Sequence, residues 1–168
     1  MSDTPTPVTN DTGGKYLTFR LDSEEYGIEI LKAREIIGLM DITPVPRTPD
    51  YVRGVINLRG KIIPVYDMRQ KFGMPACEDT VETCIIVVDI EVDATSTQIG
   101  ILVDAVSEVL DIDGENIDAS PMFGSHIEAD FIRGIAKTDK GVIILLEVEN
   151  ALSTTDLNEA STLVASAD

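Results

Sequence analysis

The side chains with the chemistry for catalysis or metal binding are one histidine, His126, two cysteines, Cys77 and Cys84, and thirty carboxylates. Their spacing argues against most of that chemistry. A zinc site needs cysteine and histidine at short, regular intervals. His126 instead sits in a polar stretch beside Glu128 and Asp130, with no cysteine near it, and reads as a surface residue. The cysteines lack CxxC spacing and read as reduced thiols; Cys84 opens an apolar run and is expected in the core. Asp111-Ile112-Asp113-Gly114-Glu115 begins like a calcium loop, but glycine comes fourth rather than sixth, and Met122 stands twelfth where a bidentate Glu is required. No P-loop, HExxH, GxSxG or GxGxxG stands in the chain. Carboxylate pairs could serve a hydrolase, yet among thirty acids any pairing is uninformative. No catalytic residue, metal site or cofactor is expected, and a small carboxylate-based hydrolase ranks last among the readings.

One short run carries a different chemistry. In Asn57-Leu58-Arg59-Gly60, Asn and Gly suit a tight turn. A turn needs neither leucine nor arginine. An apolar side chain beside an always-charged planar guanidinium is what the middle of a protein interface favours. The bland alternative is that Leu58 folds back onto the core and Arg59 pairs internally.

The elements that position this turn follow from an internal repeat, which has to be sought first because missing it misassigns the fold. Tyr51-Val52-Arg53-Gly54-Val55 recurs as Phe131-Ile132-Arg133-Gly134-Ile135, and Gly60-Lys61-Ile62-Ile63 as Gly141-Val142-Ile143-Ile144. Upstream, Gly27-Ile28-x-Ile30 recurs as Gly100-Ile101-x-Val103, and Glu35-Ile36-Ile37 as Glu108-Val109-Leu110. Four blocks in one order indicate a duplicated unit. Matched on glycines, Pro64 corresponds to Leu145, and the second turn is Thr138-Asp139-Lys140-Gly141, an ordinary solvated bend.

Each copy reads as a small β unit. Strands are expected at Tyr16–Leu21, Tyr26–Ile30, 52–57 and 61–66, then at Cys84–Asp89, Ile99–Val103, Arg133–Lys137 and Val142–Leu146, with a polar loop through Thr95-Ser96-Thr97. Pro64 cannot donate a ladder bond and is expected at an edge or bulge. Short Ile/Val-rich strands close together suggest small barrels, which remove exposed edges. The fold class is therefore mainly β with few short helices. Asp67–Phe72 is one helix candidate, stopped by Gly73, and Asp156–Ala165 is another.

Composition bounds the partners. The 168 residues suit one compact domain or two very small subdomains sharing a core. Thirteen basic against thirty acidic residues give a net charge of −17, which repels nucleic acid and anionic membranes. Aromatics are too few for a single-strand platform or a proline-binding groove. The longest apolar run, Val142–Leu146, is too short to cross a bilayer. The first fourteen residues have neither a basic lead nor an apolar core; they read as a disordered tail rather than a signal peptide, and the cytoplasm is expected. Residues 32–71 are locally basic, with eight cations against four acids, and part of that segment is expected to meet an acidic partner surface.

The run from Tyr51 to Val65, centred on Asn57-Leu58-Arg59-Gly60, resembles the signature of the CheW family of bacterial chemotaxis coupling proteins. Tyr26-Gly27-Ile28 with Glu35-Ile36, Gly100-Ile101-Leu102-Val103-Asp104 and Phe131-Ile132-Arg133-Gly134 do so too, and the similarity covers residues 15–150. The resemblance implies two SH3-like five-stranded β-barrel subdomains packed together. About 15–75 would form one subdomain, with the C-terminal segment near it, and about 80–148 the other, leaving 151–168 as an acidic tail or helix. It also implies a non-catalytic adaptor that joins the cytoplasmic tips of methyl-accepting chemotaxis receptors to the regulatory domain of the histidine kinase CheA, in the cytoplasm at receptor arrays. Carried over by position, Ala33, Glu35, Gly54, Asn57, Leu58, Arg59 and Gly60 fall in motifs for receptor or kinase contact. Ala33 stands where a larger aliphatic residue is expected. Gly100, Ile101, Val103, Asp104 and Val106 belong to the second subdomain, which in the family packs on the kinase. A coupler of a pilus or other taxis-like pathway would share all these motifs.

Overall fold

The computed structural model describes residues 13–74, 78–92, 95–118, 132–139 and 141–148. Eleven strands run in the order β1 (Gly14–Leu21), β2 (Glu24–Glu29), β3 (Ala33–Gly38), β4 (Val52–Leu58), β5 (Lys61–Asp67), β6 (Cys84–Val92), β7 (Thr95–Val103), β8 (Ala105–Ile112), β9 (Ile117–Asp118), β10 (Ile132–Thr138) and β11 (Gly141–Leu146). A single helical turn, α1 (Met68–Lys71), follows β5. Asp67 caps it: its Oδ1 accepts from the backbone N–H of Arg69 and Gln70 at 3.0 and 3.3 Å, satisfying donors that a helix start leaves orphaned. The expected strands all form. Thr95–Thr97, expected as loop, opens β7 and pairs with the end of β6. Strands β3, β8 and β9 are additional. His126, Cys77, the 156–165 helix and the 151–168 tail lie outside the described residues.

Two sheets result, with strand orders β8-β1-β2-β11-β10-β9 and β3-β6-β7-β5-β4. Each curls on itself. In the first, Ile112 of β8 packs with Ile117 and Ala136 from the far end of the order. In the second, Ile37 of β3 packs with Ile56 and Leu58 of β4. Only a closed, barrel-like sheet brings its two ends together in this way. A third and largest cluster lies between the barrels and joins Phe19, Tyr26 and Ile28 to Tyr66, Ile86 and Ile101. This explains the unbroken Ile85-Ile86-Val87-Val88 run: alternate side chains face a barrel interior (Ile85, Val87) and the layer between barrels (Ile86, Val88). Cys84, expected in the core, is half-buried at the margin of that layer.

The barrels are not consecutive parts of the chain. Hairpin β1–β2 lies beside β8, β10 and β11, and hairpin β6–β7 beside β3, β4 and β5. A parallel contact seals each exchange. β2 meets β11 with Gly27 opposite Leu145, and β7 meets β5 with Gly100 opposite Val65. The repeated glycines leave room for these close contacts. A Cβ on Gly100 would lie 2.8 Å from Ile85 Cγ2, and one on Gly27 would lie 3.1 Å from Leu145 Cδ2. The repeat is thus reciprocal: each copy's glycine strand completes the other copy's barrel. Sheet membership does not follow the expected 15–75 and 80–148 halves.

The register also corrects the repeat alignment. Val55↔Pro64 and Leu58↔Lys61 in β4–β5 match Ile135↔Ile144 and Thr138↔Gly141 in β10–β11. Pro64 therefore corresponds to Ile144, not Leu145, and Leu58 and Arg59 correspond to Thr138 and Asp139. Pro64 sits in an internal strand rather than at an edge, but the ladder from β5 to β7 starts only at Val65, so its missing N–H is not called upon.

Candidate interaction site

The β4–β5 turn has two residues at its tip, Arg59 at φ 53° and Gly60 at φ 87°. Two successive positive φ values make a type I′ hairpin turn, for which Asn-Gly is the unstrained choice. Asn57 Oδ1 accepts from the Gly60 N–H at 2.8 Å and closes the loop. Asn57 and Gly60 are thereby explained by geometry. Arg59 is not, because a side chain with a Cβ pays conformational energy in the left-handed region.

Arg59 reaches across the barrel mouth to Glu35 on β3. Its Nη1 donates to Glu35 Oε2 at 3.1 Å and its Nη2 donates to Glu35 Oε1, a two-point grip. A β-bulge between Ala33 and Glu35 shifts the register there and helps aim the carboxylate. The Arg59 hydrogen bonds hold the Glu35 carboxyl below its ordinary value of 4.5, and Glu35 in turn raises the Arg59 guanidinium. The Arg59 side chain remains 68% exposed. Leu58 is half-buried against Ile56 and Ile63. Both halves of the bland alternative are therefore partly met, Leu58 resting on the core and Arg59 pairing internally, yet neither is sealed from a partner.

The same strand supplies apolar surface that the motifs did not mark. Ile36 is 45% exposed and Leu39, just beyond β3, is 40% exposed. The signal was the alternation itself: Ile36 falls on an outward position, as does its repeat counterpart Val109 on β8. Both β3 and β8 end their strand orders. Ala33, half-buried, packs against the layer between the barrels and lies near Glu35 at the bulge.

The other carried-over residues separate from this patch. Gly54 has φ 141°, and a Cβ there would sit 2.1 Å from the Thr43 carbonyl oxygen. It admits the segment that bridges Thr43 to Val55. Gly100 makes room for the β5–β7 contact. Ile101 and Val103 are buried in the central layer and Val106 packs against it, so their side chains serve packing in this conformation. Asp104 is half-buried; its Oδ2 accepts from Arg69 Nη1 and from the Asp22 N–H, each at 2.7 Å. That carboxylate neutralises the buried Arg69 and ties the β1–β2 turn to α1.

The basic segment is largely engaged within the molecule. Arg34 pairs with Asp89 at 3.3 Å, and Arg53 with Asp79 at 3.0 Å and Asp67 at 3.4 Å. Lys71 lies 4.4 Å over the Tyr51 ring. Arg53–Asp67 has its repeat in Arg133–Glu147, at 2.7 Å. Among the described residues no helix is long and apolar enough to cross a membrane, and no cluster of His, Cys, Asp and Glu could hold a metal.

Comparison with known proteins places this geometry. The family model described as CheW-like domain matches residues 15–156. Chemotaxis protein CheW of Rhizobium meliloti is 37% identical over 150 residues, covering 89% of this chain and 94% of the relative. Chemotaxis protein CheW of Klebsiella aerogenes is 36% identical over 145 residues, covering 86% and 85%. The crystal structure of the scaffolding protein TtCheW from Thermoanaerobacter tengcongensis is similar at TM-score 0.74 and 36% identity, covering 86% of this chain and 96% of that one.

Proposed function

The chain belongs to the CheW family, and from that premise we propose that it is a scaffolding adaptor of chemotaxis signalling, joining the regulatory domain of the histidine kinase CheA to the cytoplasmic tips of methyl-accepting receptors. It works by contact, without catalysis, and sits at receptor arrays. The observation that carries the reading is Arg59: it is strained, exposed, and held by Glu35. A side chain kept in a costly backbone region, where glycine or asparagine would fold more readily, points to use of the side chain. The two-point grip holds the guanidinium in one pose and lowers the ordering cost of meeting a partner. A signal passes when the contacts at this patch differ between the receptor's on and off states.

Reconstitution tests the reading. Receptor-bearing membranes and CheA are combined with and without the protein, and kinase autophosphorylation is followed. Receptor-controlled activity that requires the protein is expected. Receptor control that is equal in its absence overturns the adaptor assignment.

A further inference from the structure

Among the described residues, three other than glycine hold a positive φ: Asp22 at 61°, Arg47 at 65° and Arg59 at 53°. Two of them are occupied within the molecule. Asp22 donates its N–H to Asp104, and its carboxylate lies 3.8 Å from Arg69. Arg59 grips Glu35. Arg47 is exposed, and its side chain makes no hydrogen bond or ion pair with any described residue. Lys61 is also without such a partner, but it stands in the regular ladder of β5 and bears no strain.

The backbone around Arg47 is held firmly. In Val45-Pro46-Arg47-Thr48 a proline precedes a positive φ, the pattern of a type II turn, in which glycine or asparagine is the unstrained third residue. Pro44, Pro46 and Pro49 each fix a φ angle. Thr48 Oγ1 donates to the Val45 carbonyl at 2.9 Å. Thr43 and Val55 exchange both backbone hydrogen bonds at 2.9 Å, and the Val52 N–H donates to the Pro49 carbonyl at 2.9 Å, so both ends of the segment are tied to β4. The tie at Val52 is at the opposite end of β4 from Arg59, about 20 Å away along the strand.

We propose that Arg47 is a second contact point of the adaptor, where this stiff turn presents a guanidinium to a carboxylate on a partner protein. Only use of the side chain offsets its unfavourable backbone. The fixed mount lowers the ordering cost of the contact, and the planar fork suits a carboxylate. Asp41 and Asp50 stand at either end of the segment and pair with no described residue, so neither occupies the fork. The proposal rests on the adaptor reading but uses a surface separate from the Arg59 pair.

The full chain is assembled with CheA and receptor-bearing membranes, and its binding is titrated at several salt concentrations. Arg47→Asn should melt no lower than wild type, bind about tenfold more weakly and show a shallower salt dependence. Arg47→Lys, which keeps the charge without the fork, should fall between them. Should Arg47→Asn fail to fold, Arg47→Gly serves instead. Benzoylphenylalanine placed at position 47 and irradiated in the assembly should crosslink to a CheA or receptor peptide that contains Asp or Glu. Wild-type binding and salt dependence in Arg47→Asn overturn the proposal, as does a crosslink to a partner peptide without acids. So does a crosslink only within the chain, which would make its own acidic C-terminal residues the occupant. Failure of the wild-type protein to assemble would instead remove the adaptor reading, and this contact with it.

Discussion

Arg59 sets two demands against each other, and substitutions can separate them. Asparagine tolerates the left-handed backbone and completes an Asn-Gly turn. Arg59→Asn should therefore melt no lower than wild type by calorimetry, yet bind receptor and kinase about ten- to thirtyfold more weakly, as expected when an interface arginine is lost. Equal binding would remove Arg59 from the interface. The ion pair also has a pH signature. The folded-state value of Glu35 is depressed, so whatever the pair contributes is present above 4.5 and disappears as pH falls through the lower folded value. Carboxyl NMR should find Glu35 titrating below the ordinary range in wild type and returning to it in Arg59→Ala. An unchanged titration would mean that Arg59 does not hold it. Leu58 and Arg59 stood out in the sequence because their types do not suit a turn. Glu35 was recovered only through family resemblance, because the bulge that aims it leaves no trace in composition.

At the scale of elements, glycines that look functional in a motif are asked to do structural work. Gly54 faces a backbone oxygen, which cannot move aside, whereas Gly100 faces the end of an isoleucine side chain, which can. Gly54→Ala should cost about 3 kcal/mol or more, and Gly100→Ala about 1–3 kcal/mol, by denaturant unfolding. The reverse order, or full stability with selective loss of binding, would return these residues to the interface. Strands with regular alternation or unbroken apolar runs were legible, including both hairpins that carry the repeat. Strand β3 was missed because Ala33–Gly38 mixes charge with aliphatics and is broken by a bulge. β8 was missed for the same reason, with Ser107 and Glu108 interrupting it. For Ile101 and Val103 the motif invited a contact role, and in this structure their side chains line the shared core.

For the whole molecule, the reciprocal exchange of hairpins matters most. Neither barrel can close without strands from the other copy, and the largest apolar cluster lies between them. Unfolding should be a single two-state transition, with near-UV and far-UV signals coincident. Two separated transitions would show that the barrels are stable alone. The duplication was legible in four sequence blocks, but the exchange was not, because residue order says nothing about which copy's glycine strand a hairpin will choose. That choice follows from the fit of Gly27 against Leu145 and of Gly100 against Val65. Rigid coupling of the barrels also suits an adaptor, since a partner bound on one is held in fixed geometry to a partner on the other.

The central claim is that the Arg59–Glu35 pair faces a partner rather than merely bracing the barrel. A charge exchange, Glu35→Arg with Arg59→Glu, keeps an internal pair while reversing the charge pattern offered outward. Receptor-dependent CheA autophosphorylation measured with this variant decides the matter. The account predicts a folded protein of near wild-type stability that no longer supports receptor control of the kinase. Wild-type coupling by the exchanged pair would contradict it.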